Sequence, residues 1–452
     1  MDDARIDLAV LPPPVRAIAT ALGRAGGRCW LVGGPVRDLL LGQPVLDFDL
    51  ATDLVPDAVL AALPQADGAD RRYGACRVAT EVGEVVVTTL RREVGSSDHR
   101  HPDRVEFVTD PGLDARRRDF TVNALYVDLA DGRVFDPVSG LADLSARVLR
   151  VIGEPAQRFR EDALRLLRAV RFAARCELTL APSTALAMRE QAELVATLSA
   201  ERVYAELTSA FTRHGRGRAL RLLVETGLAG VLLPEVAAMD GVTQPPEYHP
   251  EGDVLTHVCL VLDHVPEGDE VLAWSAVLHD VGKPPTWRQA EDRIRFDGHD
   301  TLSATMAEAI LQRLHARNTV REEVVDVCLR HIHFAALPGM RPVKAERWLR
   351  SPGFRRHLAF HRADCLGSHG DLSIHRFAEQ ALAALPPERP VLLQGRDVLA
   401  LGVPPGPEVG RLLAAAIARI DELPTAPDRG EALALLRDLV AETRQAPDTG
   451  AR

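Results

Sequence analysis

The sequence predicts an α+β fold in which a mixed sheet occupies the first third of the chain and helices form the rest. Two observations carry this prediction. Residues 1–150 alternate short β-like runs with helices, separated by Gly, Pro and Asp turns. From Phe159 to Arg437 the pattern is largely helical, rich in Ala, Leu, Arg and Glu, and punctuated by clusters of Pro and Gly.

Composition indicates a soluble globular protein and says little about its substrate. Hydrophobic residues make up 46% and charged residues 26% of the 452 residues. A chain of this length is expected to form about two to four domains. Only Lys283 and Lys344 are lysines, so almost all positive charge is arginine. A GC-rich genome explains this bias, and so does the fit of the arginine fork to phosphates and base edges.

Charge, cysteines and apolar segments exclude several classes of protein. A net charge of −10 argues against a protein that coats nucleic acid non-specifically, although a local basic groove can still hold one RNA end. The six cysteines are scattered without a C-x-x-C pair, which is typical of buried thiols in a reducing compartment. The first residues lack a secretion signal and no apolar run reaches membrane-spanning length, so we expect a cytoplasmic protein that does not bind membranes.

The first part of the chain is predicted to form the sheet of an α+β head. Six short β-like runs are separated by turn residues. They are Arg28–Val32, Phe48–Leu50, Cys76–Thr80, Glu84–Leu90, Val105–Val108 and Leu125–Asp128. Between the fourth and fifth runs, residues 91–104 are charged, include Gly95 and two serines, and are predicted to form a mobile loop.

The strongest local signal follows the first predicted strand. Gly33 and Gly34 precede a helix, where glycine permits close backbone approach to a triphosphate and the helix start supplies free N–H donors. Arg37 lies one turn into this helix, within reach of phosphate oxygens. The next strand carries Asp47 and Asp49, whose side chains share a face because the strand period is two. Such a pair can hold two Mg²⁺ ions that activate an attacking hydroxyl and neutralise departing pyrophosphate.

Neither the glycine pair nor the D-x-D pair alone identifies a family, but the two pairs in this order and at this spacing do. Together they resemble the nucleotidyltransferase motif of the class II tRNA CCA-adding enzymes and bacterial poly(A) polymerases, and the dinucleotide-binding fingerprint is missing. The resemblance implies a polymerase-beta-like nucleotidyltransferase head. In such a head Asp47 and Asp49 would bind the catalytic metals, and the nucleotide-binding turn would comprise Gly33, Gly34 and Arg37.

A second string extends the resemblance. Residues 117–125 read Arg-Arg-Asp-Phe-Thr-Val-Asn-Ala-Leu and resemble the family's second motif. This implies that Arg118, Asp119 and Asn123 contact the nucleotide sugar and phosphates. Asp136–Gly140 resembles the hinge between head and neck. Family members that add only C lack a loop comparable to residues 91–104, so its presence favours full CCA addition or A addition.

The next segment is predicted to be an amphipathic helix over Phe159–Phe172. Its Asp162, Arg165, Arg168 and Arg171 recur every third residue, which is most often a salt-bridged solvent face. Another use is base selection, because an aspartate accepts from the amino group that C and A share while an arginine donates to their ring nitrogen. Guanine and uracil would repel both contacts. The string resembles the family's E-D-x-x-R motif, which implies base recognition by Asp162 and Arg165 with Arg168 and Arg171 near the nucleotide.

Histidines are concentrated between His249 and His375, and one string among them is specific. An adjacent His-Asp pair on an apolar helix, closed by Gly-Lys, is costly to bury unless it is paired or binds metal. This string resembles the HD superfamily of metal-dependent phosphohydrolases. The resemblance implies one divalent metal of unknown identity and a second set of residues for another metal or the substrate phosphate. The implied ligands are His257, His279, Asp280 and Asp364, and the second set is His299, His331 and Lys283.

The sequence therefore predicts four parts: a nucleotidyltransferase head (1–148), a helical neck (149–212), a helical body with the HD site (213–390) and a helical tail (391–452). The predicted function is addition of C and A from CTP and ATP to the tRNA 3′ end without a template. Relatives that add only A, or that make poly(A), share the catalytic motifs and stay an alternative. A second alternative is an HD phosphohydrolase whose head only docks RNA.

The resemblance also leaves the chemistry of the HD site open. HD modules fused to CCA-adding enzymes can hydrolyse 2′,3′-cyclic phosphates and 2′-nucleotides. A degenerate HD fold that serves as a scaffold is the alternative. The full ligand set favours an active site.

Overall fold

The computed structural model describes residues 4–45, 47–94, 104–247, 249–385, 392–423, 425 and 427–445. Contacts divide the chain into two compact units. The first comprises Met1–Gly241 and Ile310–Ala316, and the second comprises Val242–Ala309 and Arg317–Arg452. The division falls after residue 241, whereas the sequence places residues 213–241 in the HD body. The four-part division stays a prediction.

Six strands of the first unit form one mixed sheet, in the order β3-β4-β2-β1-β7-β8. Strands β2 and β4 run parallel, and the other neighbouring pairs run antiparallel. The strands are β1 (Cys29–Val32), β2 (Phe48–Thr52), β3 (Ala75–Thr80), β4 (Gly83–Thr89), β5 (Arg91–Val94), β6 (Arg104–Phe107), β7 (Tyr126–Asp128), β8 (Val134–Phe135), β9 (Val148–Leu149), β10 (Thr179–Leu180), β11 (Arg288–Gln289) and β12 (Ile294–Arg295). Each of the six predicted strands is present, with ends that differ by no more than two residues. The α+β prediction with a mixed sheet is confirmed.

Helices of the first unit cover the sheet and continue beyond it. They are α1 (Pro13–Arg24), α2 (Gly34–Leu40), α3 (Pro56–Ala62), α4 (Pro111–Ala115), α5 (Gly140–Ser145), α6 (Pro155–Glu161), α7 (Leu164–Arg175), α8 (Pro182–Glu190), α9 (Ala200–Phe211), α10 (Arg216–Glu225), α11 (Leu228–Leu232) and α12 (Pro234–Ala237). Short 3₁₀ turns occur at Leu8–Val10, Arg71–Tyr73, Thr121–Asn123 and Ala192–Thr197. Helix α10 packs against α7 and α9, which explains why residues beyond 212 belong with this unit.

Two local predictions for the first unit are wrong. The predicted helix over Phe159–Phe172 is two helices, α6 and α7, because Asp162 is extended with φ −151° and ψ 104°. The Asp162 carboxylate accepts a hydrogen bond from the Leu164 amide, a role that favours aspartate before a helix. The predicted loop 91–104 begins and ends in strand, since β5 and β6 pair as antiparallel strands. Residues 95–103 lie outside the described residues.

The second unit is helical, with one small β-ribbon formed by β11 and β12. Its helices are α13 (Val254–His264), α14 (Glu270–Leu278), α15 (Lys283–Thr286), α16 (His299–Arg313), α17 (Asn318–Arg330), α18 (Pro342–Leu349), α19 (Phe354–Leu366), α20 (Ser373–Ala383), α21 (Gly395–Ala400), α22 (Pro407–Asp421) and α23 (Arg429–Gln445), with a 3₁₀ segment at His331–Gly339. Helix α14 is buried from Val271 to Leu278, because it is apolar all round and packs against α13, α17 and α19. His279 follows at its end, inside the core of this unit.

Within the described part of the chain, the helices are too short or too polar to cross a lipid bilayer.

Candidate functional site

A cavity of about 960 Å³ in the first unit brings together the residues that the sequence predicts for nucleotide binding. Eleven arginines and seven Asp or Glu residues line it, which leaves a positive balance suited to a polyphosphate. The predicted residues on its wall are Gly33, Gly34, Arg37, Asp47, Asp49, Arg118, Asp119, Asn123, Asp162, Arg165, Arg168 and Arg171. Their individual roles stay predictions, but they share one cavity.

The two aspartates of the D-x-D pair lie where β2 begins. Asp47 precedes the strand and is exposed, whereas Asp49 is its second residue and is half-buried. Burial raises the pKa of Asp49, Arg118 lowers it, and the negative charge of Asp47 raises it again. A divalent cation between the two carboxylates would relieve both the burial cost and the repulsion. The residues present therefore fit a site for a divalent metal ion, and its identity as Mg²⁺ stays a prediction.

Gly33 is needed for the shape of the turn between β1 and α2. Its φ is +76° with ψ −133°, a conformation that side-chain-bearing residues rarely adopt. A Cβ atom at this position would lie 3.3 Å from a terminal nitrogen of Arg118. The glycine thus keeps the backbone of the turn close to the second motif.

The substitution Gly33→Ala is expected to destabilise the protein by about 1–3 kcal/mol through backbone strain. It is also expected to weaken CTP binding, because Arg118 must shift. Thermal unfolding and CTP titration measure the two effects. Gly23→Ala is the matched control, since the added methyl group meets no atom within 4 Å on helix α1. Equal behaviour of the two variants would contradict the role of Gly33.

Arg37 lies deeper than the sequence suggests. Its side chain is 1% exposed. It donates to the Asp38 carboxylate from Nε and a terminal nitrogen, at 2.9 and 2.6 Å, and to Asn123 Oδ1 at 2.6 Å. Asp38 in turn accepts from Arg175 of α7 at 3.0 Å. In this conformation Arg37 braces the glycine turn against the second motif, and its predicted contact with phosphate stays a prediction.

A buried aspartate that the sequence analysis missed organises the second motif. Asp114 accepts from Arg117, from Arg118 and from the Tyr126 hydroxyl, at 2.6–3.2 Å. Burial raises the pKa of Asp114, but the two guanidinium groups outweigh it and bring that pKa to about 2. The carboxylate is therefore ionised and fixes both arginines at the cavity wall. In the sequence, its position a few residues before the arginine run was the signal that could have identified this aspartate.

Asp119 and Arg168 join the second motif to helix α7. Nε and a terminal nitrogen of Arg168 donate to Asp119 Oδ2 at 2.9 and 2.7 Å, and Asn123 donates to Oδ1 at 3.2 Å. Burial raises the pKa of Asp119, but Arg168 brings it down to about 2. This charge-assisted pair holds the second motif and helix α7 together on one wall of the cavity.

The Phe172 ring makes cation–π contacts with three arginines, one from α2 and two from α7. The guanidinium carbons of Arg37, Arg168 and Arg171 lie 5.0, 5.1 and 4.3 Å from its ring centre. Arg171 also donates to Glu206 of α9 at 2.7 Å. These contacts orient the predicted nucleotide-facing stripe, which is therefore not a solvent face.

The predicted base-reading pair lies at the break between α6 and α7. Asp162 Oδ1 accepts from the Leu164 amide at 3.1 Å and from Arg202 at 3.3 Å. Arg165 donates to the Arg158 carbonyl at 2.8 Å and contacts Glu161 at 3.2 Å. Both side chains line the cavity, and the break allows a carboxylate and a guanidinium to face the same space.

In the second unit, four side-chain atoms converge at the end of α14. His257 Nε2 lies 3.2 Å from both His279 Nε2 and Asp364 Oδ1, and 3.6 Å from Asp280 Oδ2. His279 Nε2 lies 3.2 Å from Asp280 Oδ2 and 3.9 Å from Asp364 Oδ1. Ligands bonded to one divalent ion at about 2.1 Å are separated by about 3.0–3.5 Å. The four predicted ligands thus fit a metal.

The hydrogen bonds of these imidazoles supply independent support for a metal. His279 Nδ1 donates to the Ala276 carbonyl at 2.9 Å, and His257 Nδ1 faces the Glu251 carboxylate at 2.9 Å. With the ring protons on Nδ1, both Nε2 atoms carry lone pairs that face each other at 3.2 Å. A cation between them removes this repulsion, and tethering at Nδ1 is typical of metal-binding histidines.

A second trio lies beside the first group. Asp280 Oδ1 is buried without a hydrogen-bond partner among the described residues, and lies 3.7 Å from His299 Nε2 and 3.8 Å from His331 Nε2. The two histidines donate Nδ1 to the carbonyls of Phe296 and Cys328, which leaves their Nε2 atoms 3.2 Å apart. Asp280 could therefore bridge two ions, and Lys283 Nζ lies 2.7 Å from its Oδ2.

Two further residues at this cluster were not predicted. Glu251, on the loop before α13, lies 2.9 Å from Nδ1 of both His249 and His257. Burial raises the pKa of Glu251, but its contacts with the two histidines lower it below its usual value. Burial lowers the pKa of His249 to about 4. The string His249-Pro250-Glu251 can be read in the sequence, but the sequence does not show that it lies next to the metal ligands.

Comparisons with known families match three segments of the chain. The family described as "Poly A polymerase head domain" matches residues 29–150. The family described as "Probable RNA and SrmB- binding site of polymerase A" matches residues 177–239, and "HD domain" matches residues 253–351. The first match contains the D-x-D pair and the second motif, and the third contains His257, His279 and Asp280.

Similar proteins cover either half or most of the chain. A CCA-adding enzyme of Geobacillus thermodenitrificans is 40% identical over 49% of this chain and 55% of its own length. A second, from Geobacillus stearothermophilus, is 38% identical over 51% of this chain and 57% of its own length. The chain thus spans little more than half the length of these two relatives. A multifunctional CCA protein of Xanthomonas campestris pv. campestris is 34% identical over 86% of this chain and 97% of its own length.

Solved structures show the same architecture. The crystal structure of a CCA-adding enzyme of Bacillus stearothermophilus in complex with CTP matches with a TM-score of 0.71 and 26% identity, covering 96% of this chain and 99% of the other. A Thermotoga maritima CCA-adding enzyme complexed with tRNA matches with a TM-score of 0.55 and 17% identity, covering 97% of each chain. This second likeness shows the fold alone.

Proposed function

The chain belongs to the family of CCA-adding enzymes, and on that basis we propose that it adds C and A nucleotides from CTP and ATP to the 3′ end of tRNA. One observation carries the proposal. Asp47, Asp49, the Gly33 turn and the base-reading pair at Asp162 and Arg165 line one cavity with a positive balance of charge. A cavity with these groups combines a carboxylate pair for metal ions, a site for the phosphates and side chains that can contact the edge of the base.

Within that cavity the RNA 3′-hydroxyl attacks the α-phosphate of the bound nucleotide, and pyrophosphate leaves. Mg²⁺, held by Asp47 and Asp49, would activate the hydroxyl and neutralise charge on the leaving group. The arginines of the second motif and α7 hold the nucleotide for in-line attack and stabilise its phosphates electrostatically. Asp114 and Asp119, which fix Arg118 and Arg168, act as positioning residues.

Base selection would follow from hydrogen bonding by two side chains. Asp162 accepts from the exocyclic amino group of C or A, and Arg165 donates to the adjacent ring nitrogen. The Leu164 amide and Arg202 both donate to Oδ1 of Asp162, at 3.1 and 3.3 Å. Guanine and uracil present a carbonyl to Asp162, so the carboxylate repels them.

The substitution Asp162→Asn tests this selection. The amide can donate to a carbonyl, so we expect the preference for CTP over UTP to fall by about tenfold or more. Competing incorporation of CTP and UTP into the same tRNA measures the ratio. Glu154→Gln, an exposed change just before α6, is the matched control. An unchanged ratio in Asp162→Asn would show that this carboxylate does not read the base.

The activity itself is tested with a tRNA that lacks its last three nucleotides. CTP alone should extend it by two residues, and CTP with ATP should complete the CCA end. Failure to incorporate C would favour the alternative that adds only A. Continued addition of A beyond the CCA end would favour a poly(A) polymerase.

For the second unit we propose a metal-dependent phosphohydrolase. Four ligand atoms fit one divalent ion, and Asp280, His299 and His331 could hold another. The ion would supply a water nucleophile of lowered pKa and would polarise the phosphate. Lys283 neutralises charge near Asp280 at 2.7 Å. The identity of this metal, the use of Mg²⁺ in the first cavity and the cytoplasmic location stay predictions.

A further inference from the structure

The second motif contributes two residues to the wall of the first cavity, and both hold an arginine there. Asn123 ends the 3₁₀ turn Thr121–Asn123, and Asp119 lies just before this turn. Asn123 Oδ1 accepts from Arg37 at 2.6 Å, and Asp119 Oδ2 accepts from Arg168 at 2.7 Å. The position of the turn therefore affects the orientation of both arginines.

The side chain of Thr121 ties this turn to helix α5. Thr121 is buried, and its hydroxyl donates to Asp143 Oδ2 at 2.7 Å. Asp143 lies on α5, is also buried, and accepts from Nε and a terminal nitrogen of Arg150 at 3.0 and 3.1 Å. Thr121, Asp143 and Arg150 are not among the described residues that line the cavity. The anchor thus acts on the turn from outside the nucleotide site.

Backbone hydrogen bonds reinforce the anchor at the same place. The Thr121 amide donates to the Arg150 carbonyl at 3.0 Å, and the Ile152 amide donates to the Asp119 carbonyl at 3.1 Å. The two bonds flank an antiparallel β-bridge between the second motif and the chain that follows α5. Arg150 therefore holds Thr121 through its own carbonyl and, by way of Asp143, through its guanidinium group.

Gly140 shows how closely the start of α5 approaches the turn. A Cβ atom at this position would lie 2.2 Å from the Thr121 carbonyl oxygen, which is closer than the two atoms can pack. The Asp136 carboxylate shapes the approach, because it accepts from the amides of Gly140 and Leu141 at 2.8 and 2.9 Å. The segment Asp136–Gly140, which resembles a hinge, therefore packs directly against the second motif.

We propose that Thr121, Asp143 and Gly140 form a bracket that positions the second motif and thereby sets the affinity of the first cavity for its nucleotide. The segment that resembles a hinge then has a second task, which is to hold Asp119 and Asn123 in place. The three bracket residues lie off the described cavity wall and act as positioning residues. The proposal rests on nucleotide binding in this cavity, as proposed above.

The substitution Thr121→Val tests the bracket, because valine has a similar volume and lacks the hydroxyl. We expect it to weaken CTP binding about tenfold, since a displacement of about 1 Å in such a site can cost up to about a hundredfold. Calorimetric titration of CTP with Mg²⁺ and without tRNA measures the loss. Thr121→Ser keeps the hydroxyl and should recover most of the affinity. Unchanged CTP affinity in Thr121→Val would overturn the proposal.

Thr226→Val is the matched control for this substitution. Thr226 is another buried threonine, at the end of α10, and its hydroxyl donates to the Leu222 carbonyl at 2.6 Å. The control therefore also loses one buried hydrogen bond, but away from the second motif. We expect it to bind CTP as the unchanged chain does. Equal weakening of CTP binding in Thr226→Val and Thr121→Val would overturn the proposal.

A double-mutant cycle tests whether Thr121 acts through Asp143. The Arg150 side chain is 48% exposed, so water can solvate its charge when Asp143→Ala removes the carboxylate. In this background Thr121→Val should weaken CTP binding little further, because the two residues share one interaction. An equally large effect of Thr121→Val with and without the Asp143 carboxylate would overturn the bracket.

Steady-state kinetics separate positioning from partial unfolding. Thr121→Val is expected to raise the KM for CTP about tenfold and to leave the KM for tRNA unchanged. A loss of folded protein lowers the apparent kcat and leaves both KM values unchanged, and that result would overturn the proposal. Absence of C incorporation by the unchanged chain would contradict the transferase function alone, because the binding comparisons need no turnover.

Discussion

Replacing Asp49 with alanine, and separately Asp47, is expected to lower nucleotide addition by about a thousandfold or more. The two carboxylates line the cavity beside the Gly33 turn, and burial together with the negative charge of Asp47 raises the pKa of Asp49. Each substitution removes one of the groups that would hold the divalent ions at the reacting phosphate. Single-turnover incorporation of labelled CTP into tRNA lacking its CCA end measures the loss.

The controls for this prediction separate catalysis from folding and from the second unit. Asp57→Ala removes an aspartate that is 86% exposed on α3 and should leave addition unchanged. Phosphate release by the second unit should persist in both catalytic variants. Addition that continued in Asp47→Ala and Asp49→Ala would eliminate the transferase assignment and would favour the alternative in which the head only docks RNA.

The double substitution His279→Ala with Asp280→Ala is expected to remove metal-dependent phosphate release, by about a hundredfold or more, and to leave nucleotide addition within about twofold of the unchanged chain. Both side chains are buried, and Asp280 contributes one oxygen to each of the two ligand groups. The loss of Asp280 would therefore remove a ligand atom from both groups. Release of phosphate from a 2′-nucleotide and CTP incorporation are the paired measurements.

A buried lysine complicates this double variant. Lys283 Nζ lies 2.7 Å from Asp280 Oδ2, so removing the carboxylate leaves an uncompensated charge that can destabilise the second unit. Gln244 Oε1, at 2.6 Å from Nζ, and the Phe296 ring, whose centre is 5.4 Å from Nζ, would still contact the lysine. Asp280→Asn keeps the volume and one oxygen, and should abolish release while the protein unfolds at a similar temperature. Full phosphate release by Asp280→Asn would contradict the metal-ligand role.

Sequence motifs located both sites because their key residues are close along the chain. Asp47 and Asp49 are two residues apart, and His279 and Asp280 are adjacent, so a short string identifies each pair. The partners that orient them are not local. Arg168 contacts Asp119 across 49 positions, and Arg175 contacts Asp38 across 137. Such pairs depend on where α7 lies relative to α2 and the second motif, which no local pattern specifies.

Two further differences have local causes. The break in the predicted neck helix carried a signal, since aspartate is favoured just before a helix, but the apolar periodicity on either side of Asp162 outweighed it. Burial of Arg37 could not be predicted, because a phosphate-facing arginine and a bracing arginine have the same position in the motif. Its contacts with Asp38 and Asn123 show the bracing arrangement.

The most direct measurement is a crystal structure with Mn²⁺ and a non-hydrolysable CTP analogue. The anomalous signal of manganese locates the metal ion. The account predicts an anomalous peak between the carboxylates of Asp47 and Asp49, with the triphosphate against the Gly33 turn and the cytosine edge at Asp162 and Arg165. A nucleotide bound outside this cavity, or a manganese ion that contacts neither aspartate, would contradict it.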